Sequence, residues 1–286
     1  MDGALDLSLW QEEGLKTLWG GGLNYKILNG QSSNNKCAVF FSSNGLYYPN
    51  NIEAAVAAVN NDKFDWKNLI QHKYIKKEFK KIILLRDIYK QWYITGISSE
   101  IDSIDKLAAF LLRETEGYEV YTVGSSAGGY AAALLGAKLN AKAAYCFSAQ
   151  FSIWDQIQKA PFIQKYKDDE SRSRYFDIRD IVEQNSTVKY FYFYPAHCEW
   201  DIVQRELIAN SNTVIPFAFN ENVHGSTMFS GNIPFVITMD PLKLEEISKQ
   251  VEGKILNRKD FLFMTVGRMK GYWVLCDRVI RKVFKR

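Results

Sequence analysis

A serine, an aspartate and a histidine that could form a catalytic triad follow one another along the chain. Ser126 lies in the segment Gly124-Ser125-Ser126-Ala127-Gly128, Asp201 follows it by 75 residues, and His224 lies 23 residues further on. A serine hydroxyl activated by a histidine, whose imidazole is oriented by a carboxylate, can form a covalent acyl intermediate. We therefore predict Ser126 as nucleophile, His224 as general base and Asp201 as the acid that orients it.

The residue types around Ser126 are typical of a very sharp turn between a strand and a helix. An apolar run, residues 118–123, precedes the turn, and a run of small residues, 127–139, follows it. Glycine is expected at 124 and 128 because a Cβ at either position would clash with the closely packed backbone. The sequence thus predicts a nucleophile elbow with Ser126 at its tip.

The same turn would supply part of an oxyanion hole. Ala127 would begin the helix, so its backbone N–H would face the place where an oxyanion forms. A second donor is expected from the loop after the apolar run 37–41, where Ser43 or Asn44 would present its backbone N–H. The sequence does not choose between these two residues.

The general base and the acid each have a competitor. Besides His224 the chain has only His72 and His197, and His197 precedes both acid candidates, so it is expected to line the pocket or to be structural. Glu199 is the alternative to Asp201 in the same loop. A structural role for Asp201, as N-cap of a helix predicted at 202–209, is also compatible with the sequence.

Length and composition predict one large α/β domain. The chain has 286 residues, of which 47% are hydrophobic and 24% charged. We assign residues 1–251 to this domain and residues 252–286 to a separate basic tail. Within the domain the densely charged segment 165–183 is expected to be either a cap over the active site or a solvated surface helix.

The order of the elements predicts an α/β-hydrolase fold, with a mostly parallel central sheet covered by helices on both faces. A helix is expected at 102–114, where apolar residues recur at intervals of three and four. The core strands are continuous apolar runs, as expected for strands buried on both faces. Strands are predicted at residues 23–28, 37–41, 81–86, 118–123, 143–148, 188–194 and 214–219.

Several classes of function find no support in the sequence. No His, Asp or Glu cluster has metal-ligand spacing, and no glycine-rich loop ends in Lys-Ser or Lys-Thr, so neither a metal nor a required cofactor is predicted. The four scattered cysteines favour reduced thiols. With no signal peptide or membrane span recognised in residues 1–286, we expect a cytoplasmic protein.

The tail, residues 252–286, concentrates the positive charge of the chain. It has ten Lys and Arg residues against three Asp and Glu, whereas the remainder carries a net charge of about −3, which argues against a nucleic-acid partner. Apolar residues alternate with these cations as in a basic amphipathic helix. Residues 258–286 could therefore lie on an anionic membrane face, or instead pack on the domain or on another subunit.

The chain also resembles a known group of proteins. Leu85-Arg86-Asp87, Trp92-Tyr93-Ile94-Thr95-Gly96, the segment 123–130 with Leu135-Gly136, and finally Asp201 and His224 carry the resemblance. It is to the α/β-hydrolase-like proteins of bacterial capsule and surface-polysaccharide loci, which include capsule O-acetyltransferases. It covers about residues 36–235 and leaves the basic tail unmatched.

The resemblance implies a serine enzyme that handles an acyl group on a sugar hydroxyl, with Ser126, Asp201 and His224 in the triad positions. Discharge of the acyl-enzyme by water would make it an O-acetyl esterase, and discharge by a glycan hydroxyl an O-acetyltransferase with acetyl-CoA as donor. Trp92 and Tyr93 would then bind the glycan or be structural. The other hypotheses are a non-catalytic partner of polysaccharide assembly and a thioesterase or lipid esterase. The oligomeric state stays open.

Overall fold

Eight strands of the described residues form one sheet. The computed structural model describes residues 13–22, 24–46, 51–157 and 161–284. The strands are β1 (Tyr25–Asn29), β2 (Lys36–Phe41), β3 (Lys81–Leu85), β4 (Glu119–Ser125), β5 (Ala143–Phe147), β6 (Lys189–Pro195), β7 (Val214–Phe219) and β8 (Ile255–Leu256). Their order across the sheet is β1-β3-β2-β4-β5-β6-β7-β8. β3 therefore lies between β1 and β2, and the strands from β4 onward are added in chain order on the other side of β2.

All the strand pairs are parallel except β1 with β3, which is antiparallel. The described helices are α1 (Glu13–Gly20), α2 (Ile52–Asn60), α3 (Lys73–Glu78), α4 (Ile104–Glu114), α5 (Ala127–Lys138), α6 (Trp154–Ile157), α7 (Pro161–Gln164), α8 (Glu170–Ser173), α9 (Arg179–Gln184), α10 (Glu199–Leu207), α11 (Ile233–Ile237), α12 (Pro241–Gln250), α13 (Arg258–Val266) and α14 (Arg268–Phe284). Each predicted strand is present to within two residues at either end.

The sheet is buried on both faces, as the continuous apolar strands predict. Along β2, Val39 and Phe41 face one core, which also contains Leu107 of α4, while Phe40 faces the other, which contains Phe261 of α13. This alternation follows from the two-residue period of a strand. The strand order, the parallel pairing and the helices on both faces together confirm the predicted α/β-hydrolase fold.

The charged segment 165–183 is fixed to the domain by the few apolar residues within it. Tyr175, Phe176 and Val182 are buried, and the hydroxyl of Tyr130 on α5 donates to the carbonyl of Tyr175. The guanidinium of Arg172 donates to two carbonyls of the loop after β3, those of residues 94 and 102. The segment is therefore neither a single surface helix nor free of the domain.

The folded domain continues beyond residue 251, where the sequence analysis placed its end. β8 adds a short strand beside β7, and α13 buries Phe261 and Leu262 completely. Gly267, with φ of 77°, ends α13, and only the following helix, α14, lies on the outside. The basic tail thus contains a short strand and an inner helix that belong to the domain, and an outer helix.

Within the described part of the chain, no helix combines the length and the apolar character that crossing a lipid bilayer requires.

Candidate active site

Ser126 occupies the sharp turn between β4 and α5. Its backbone has φ of 54° and ψ of −123°, a conformation that non-glycine residues rarely adopt, and its N–H donates to the carbonyl of Phe147 at 2.8 Å. A Cβ on Gly124 would lie 1.9 Å from the carbonyl oxygen of Gly128, and one on Gly128 would lie 2.3 Å from that of Phe41. The structure thus confirms why glycine is needed on both sides of the serine.

His224 connects Ser126 to Asp201. Its Nε2 lies 2.9 Å from the Ser126 hydroxyl oxygen, and its Nδ1 lies 2.8 Å from Oδ2 of Asp201. The three residues come from three different loops or helix starts, after β4, β6 and β7, which meet at the carboxyl edge of the parallel sheet. The structure therefore brings together the three side chains that the sequence order singled out.

Asp201 lies in the first turn of α10, and its side chain is 1% exposed. The helix begins three residues earlier than predicted, at Glu199, and Cys198 is its N-cap, so the N-cap assignment of Asp201 is wrong. The side chain of Glu199 is exposed and makes no hydrogen bond to His224 in the described structure. Asp201 is therefore the carboxylate that faces the histidine.

Cys198 is the third potential metal ligand in this region. Its sulfur, a carboxylate oxygen of Asp201 and a ring nitrogen of His224 lie within 4.8 Å of one another. Burial raises the pKa of the Cys198 thiol, and so do its hydrogen bond to Asp201 and the charge of that carboxylate. Both ring nitrogens of His224 already have hydrogen-bond partners, because Nδ1 contacts Asp201 and Nε2 contacts Ser126.

The backbone amides predicted as oxyanion donors differ in the hydrogen bonds that they already make. Ala127 is the first residue of α5, so its N–H has no partner within the helix. In the loop after β2, the N–H of Ser43 donates to Asp65 Oδ2 at 2.7 Å and is therefore already engaged. Among residues 42–46, Asn44 is the one whose N–H makes no hydrogen bond to another described residue. Of the two predicted donors, the structure leaves Asn44 available.

Tyr93 has a structural position instead of the predicted place in the substrate site. Its side chain is completely buried, and its hydroxyl donates at 2.9 Å to the carbonyl of Ser42, directly before the predicted oxyanion donors Ser43 and Asn44. Its backbone N–H donates to Asp87, whose buried carboxylate also accepts N–H groups from Tyr89 and Gln91. Asp87 thus organises the loop after β3, in which Trp92 and Tyr93 both have positive φ.

Trp92 and His197 lie near the carboxyl edge but outside the group of three. The Trp92 indole N–H donates to the side-chain carbonyl of Gln150, and the ring is partly buried. His197 is exposed, and its Nε2 lies 2.9 Å from Oδ1 of Asn220. Its backbone N–H donates to the backbone carbonyl of Glu221, so His197 joins the end of β6 to the loop that carries His224.

The structure adds residues that the sequence analysis missed. Ser148, with φ of 46°, accepts the N–H of Gly225 on its hydroxyl at 3.0 Å and so contacts the residue after His224. Trp200 is half exposed, and its ring centroid lies 6.0 Å from that of His224. Trp200 stands directly before the predicted acid, which was a usable signal. Ser148 ends a predicted strand at the same edge.

Comparison with known proteins finds solved structures that resemble this chain at low sequence identity. No known family and no curated protein matches the sequence. The capsule O-acetyltransferase of Neisseria meningitidis serogroup A superposes with a TM-score of 0.49 at 14% identity, over 79% of this chain and 90% of that one. MenH from Staphylococcus aureus superposes with a TM-score of 0.45 at 11% identity, over 80% of this chain and 97% of that one.

A third similar structure is FphF, a fluorophosphonate-binding serine hydrolase of Staphylococcus aureus. Its TM-score is 0.47 at 8% identity, over 76% of this chain and 98% of that one. At such identities the likeness concerns the fold alone. The chemistry of this chain must therefore be inferred from its own Ser126, His224 and Asp201.

Proposed function

We propose that this protein is a serine-dependent acyl-ester enzyme that acts on a surface glycan or its precursor. The single observation that carries the proposal is the hydrogen-bonded series from the Ser126 hydroxyl through His224 to the buried Asp201. A serine held at 2.9 Å from an imidazole nitrogen, with a carboxylate on the other nitrogen, is arranged for nucleophilic catalysis.

The proposed reaction passes through an acyl-enzyme. His224 Nε2 takes the proton of Ser126 as the hydroxyl oxygen attacks the carbonyl carbon of the acyl donor, while Asp201 stabilises the imidazolium that forms. The N–H groups of Ala127 and Asn44 would stabilise the negative charge on the former carbonyl oxygen. His224 then returns the proton to the leaving group, and Ser126 keeps the acyl group as an ester.

Water or a glycan hydroxyl would discharge this ester, with His224 acting again as general base. The first route makes the protein an O-acetyl esterase, and the second an O-acetyltransferase, for which acetyl-CoA would be the donor. Support for a sugar at the site comes from Trp200, an aromatic ring half exposed beside His224, because amphipathic aromatic rings pack well against sugar faces.

Intact-protein mass spectrometry after incubation with acetyl-CoA tests the proposal. A gain of one acetyl group in the wild-type protein, absent in Ser126→Ala, supports the acyl-enzyme and the transferase route. Hydrolysis of p-nitrophenyl acetate that depends on Ser126, with no adduct from acetyl-CoA, supports the esterase. Labelling by a fluorophosphonate that survives Ser126→Ala would refute Ser126 as nucleophile, and retained turnover in that variant would refute the whole proposal.

A further inference from the structure

The outer helix α14 carries an apolar stripe that faces away from the domain. Met269 is 89% exposed and Trp273 is 63% exposed, which is far more than large apolar side chains usually show. The exposed members recur at the three- and four-residue spacing of one helix face. They are Met269, Trp273, Cys276, Val279 and Ile280. Tyr272 is also exposed but lies at the edge of the stripe, with its ring centroid 5.0 Å from that of Phe263 on α13.

The opposite face of α14 holds the helix to the protein. Val274 is buried, and Gly271 packs so closely on α13 that a Cβ there would lie 2.3 Å from the Phe263 ring. The guanidinium of Arg278 lies 4.5 Å from the centre of the Phe229 ring. The helix therefore has one face committed to the domain, and its apolar stripe is a second, separate face.

Cations flank this stripe. Arg268 and Lys270 are exposed at its N-terminal end, and Arg281, Lys282, Lys285 and Arg286 follow in the sequence, against a single acidic residue, Asp277, in the whole segment 268–286. An apolar stripe bordered by Lys and Arg is complementary to an anionic lipid surface, where the apolar residues enter the interface and the cations contact phosphates. Trp and Tyr are favoured at that depth.

A groove beside α14 also combines apolar side chains with cations. It has a volume of about 600 Å³ and combines apolar side chains, among them Phe235 and Met264, with the ammonium groups of Lys243 and Lys270. Asp240 also lines it, but its carboxylate accepts the N–H of Leu242 at the start of α12. Lys270 belongs to both the groove and the border of the stripe, so a phosphate headgroup could reach it from the helix.

We propose that α14 docks this protein on an anionic membrane surface, with the stripe from Met269 to Ile280 lying in the lipid interface. The proposal depends on the charge and exposure of α14 and is independent of the proposed catalytic activity. A basic amphipathic helix attached through its other face would hold the domain at the surface without spanning the bilayer.

Vesicle co-sedimentation tests the proposal with the full chain. We expect at least tenfold stronger binding to vesicles of phosphatidylglycerol and phosphatidylcholine than to phosphatidylcholine alone, weakening as salt is raised. Met269→Glu and Trp273→Glu should each reduce that binding at least tenfold. Leu112→Glu, at a position 51% exposed on α4, is the matched control and should bind as the wild type does.

The opposite results are equally clear. Absence of binding to the anionic vesicles, or undiminished binding by both Glu variants, would overturn the proposal. A dimer that sedimentation velocity detects without lipid, and that Trp273→Glu dissociates while vesicles bind nothing, would assign the stripe to a second copy of the chain instead. Far-UV circular dichroism and urea denaturation establish that each variant is folded.

Discussion

Arg258 and Glu221 form an ion pair at 2.6 Å that joins the start of α13 to the loop bearing His224. The same guanidinium donates to the hydroxyl of Ser226 and to the carbonyl of Thr227. Arg258 thus contacts the loop on both sides of His224. Arg258 of α13 therefore holds the loop that bears His224, although α13 lies outside residues 1–251, to which the sequence analysis assigned the domain.

Arg258→Ala should lower the rate of Ser126 acylation about tenfold, because a small displacement of His224 weakens proton transfer. The rate of labelling by a fluorophosphonate measures this step directly. Arg258→Lys keeps the charge but loses the planar set of N–H donors, so its labelling rate should lie between those of the wild type and Arg258→Ala. Lys259→Ala, at the exposed neighbouring position, is the control. A labelling rate unchanged in Arg258→Ala would exclude the positioning role.

Amide substitution distinguishes the roles of the two carboxylates in the first turn of α10, Asp201 and Glu199. Asp201→Asn should reduce p-nitrophenyl acetate hydrolysis by about 10⁴-fold, since an amide cannot keep His224 in the required tautomer. Glu199→Gln, at an exposed position two residues away, should stay within about twofold of the wild type. The reverse order of the two effects would assign the role to Glu199.

The sequence predicted the fold and the central site for a physical reason that the structure makes clear. Strands buried on both faces must be continuously apolar, and the tight packing at Gly124 and Gly128 leaves no alternative residue. The order of Ser126, Asp201 and His224 then follows from the order of strand ends at one edge. Each of these features leaves a recognisable pattern within a single segment, although the atom that excludes a Cβ at Gly128 belongs to Phe41 of β2.

The features that the sequence missed depend on contacts between distant segments. Ser43 could not be separated from Asn44, because it is the carboxylate of Asp65, 22 residues away, that engages the Ser43 amide. The buried position of Tyr93 depends on two contacts, one of its N–H with Asp87 and one of its hydroxyl with Ser42 in the loop after β2. The role of α13 as part of the core was hidden because its two cations, Arg258 and Lys259, were counted together with those of the exposed helix after it.

Gly128→Ala should destabilise the protein by about 3 kcal/mol, because its Cβ would lie 2.3 Å from the Phe41 carbonyl oxygen and the backbone of two elements must move. Gly20→Ala is the matched control. Its Cβ would meet only the Ser99 hydroxyl at 4.0 Å, at the end of a helix, so little change is expected. Urea denaturation of the two variants compares them, and equal midpoints would contradict the packing argument.

The pH dependence of stability should reveal Asp87. Burial raises the pKa of this carboxyl from an ordinary value of 3.8 to about 6, against the opposing effect of the backbone N–H groups it accepts. Between these values the folded protein holds the proton that the unfolded chain has released. This group's contribution to the free energy of unfolding therefore decreases as pH rises from about 4 to about 6.

Asp87→Asn removes this titration, so the stability difference between wild type and variant should be larger at pH 4.5 than at pH 6.5. Both values lie below the pKa of the neighbouring Lys90, which burial lowers to about 8. Urea denaturation at the two pH values measures the difference. A difference that is the same at both pH values would show that Asp87 titrates at its ordinary value in the folded protein, and a difference larger at pH 6.5 would show that folding lowers its pKa.

Trp200 should act on the glycan and not on the chemistry at Ser126. Its ring is half exposed and lies 6.0 Å from the ring of His224. Trp200→Ala should raise the KM for a polysaccharide acceptor or ester about tenfold, through loss of stacking on a sugar ring. Its turnover of p-nitrophenyl acetate, which has no sugar, should remain close to that of the wild type.

Val203→Ala is the matched control, because Val203 is 42% exposed and lies three residues along α10 from Trp200. It should leave both measurements unchanged. Trp92→Ala supplies the comparison inside the site, since its indole is tied to Gln150 and should affect kcat through the loop more than the KM for glycan. A glycan KM that is unchanged in Trp200→Ala but raised in Trp92→Ala would move the sugar site from α10 to the loop after β3.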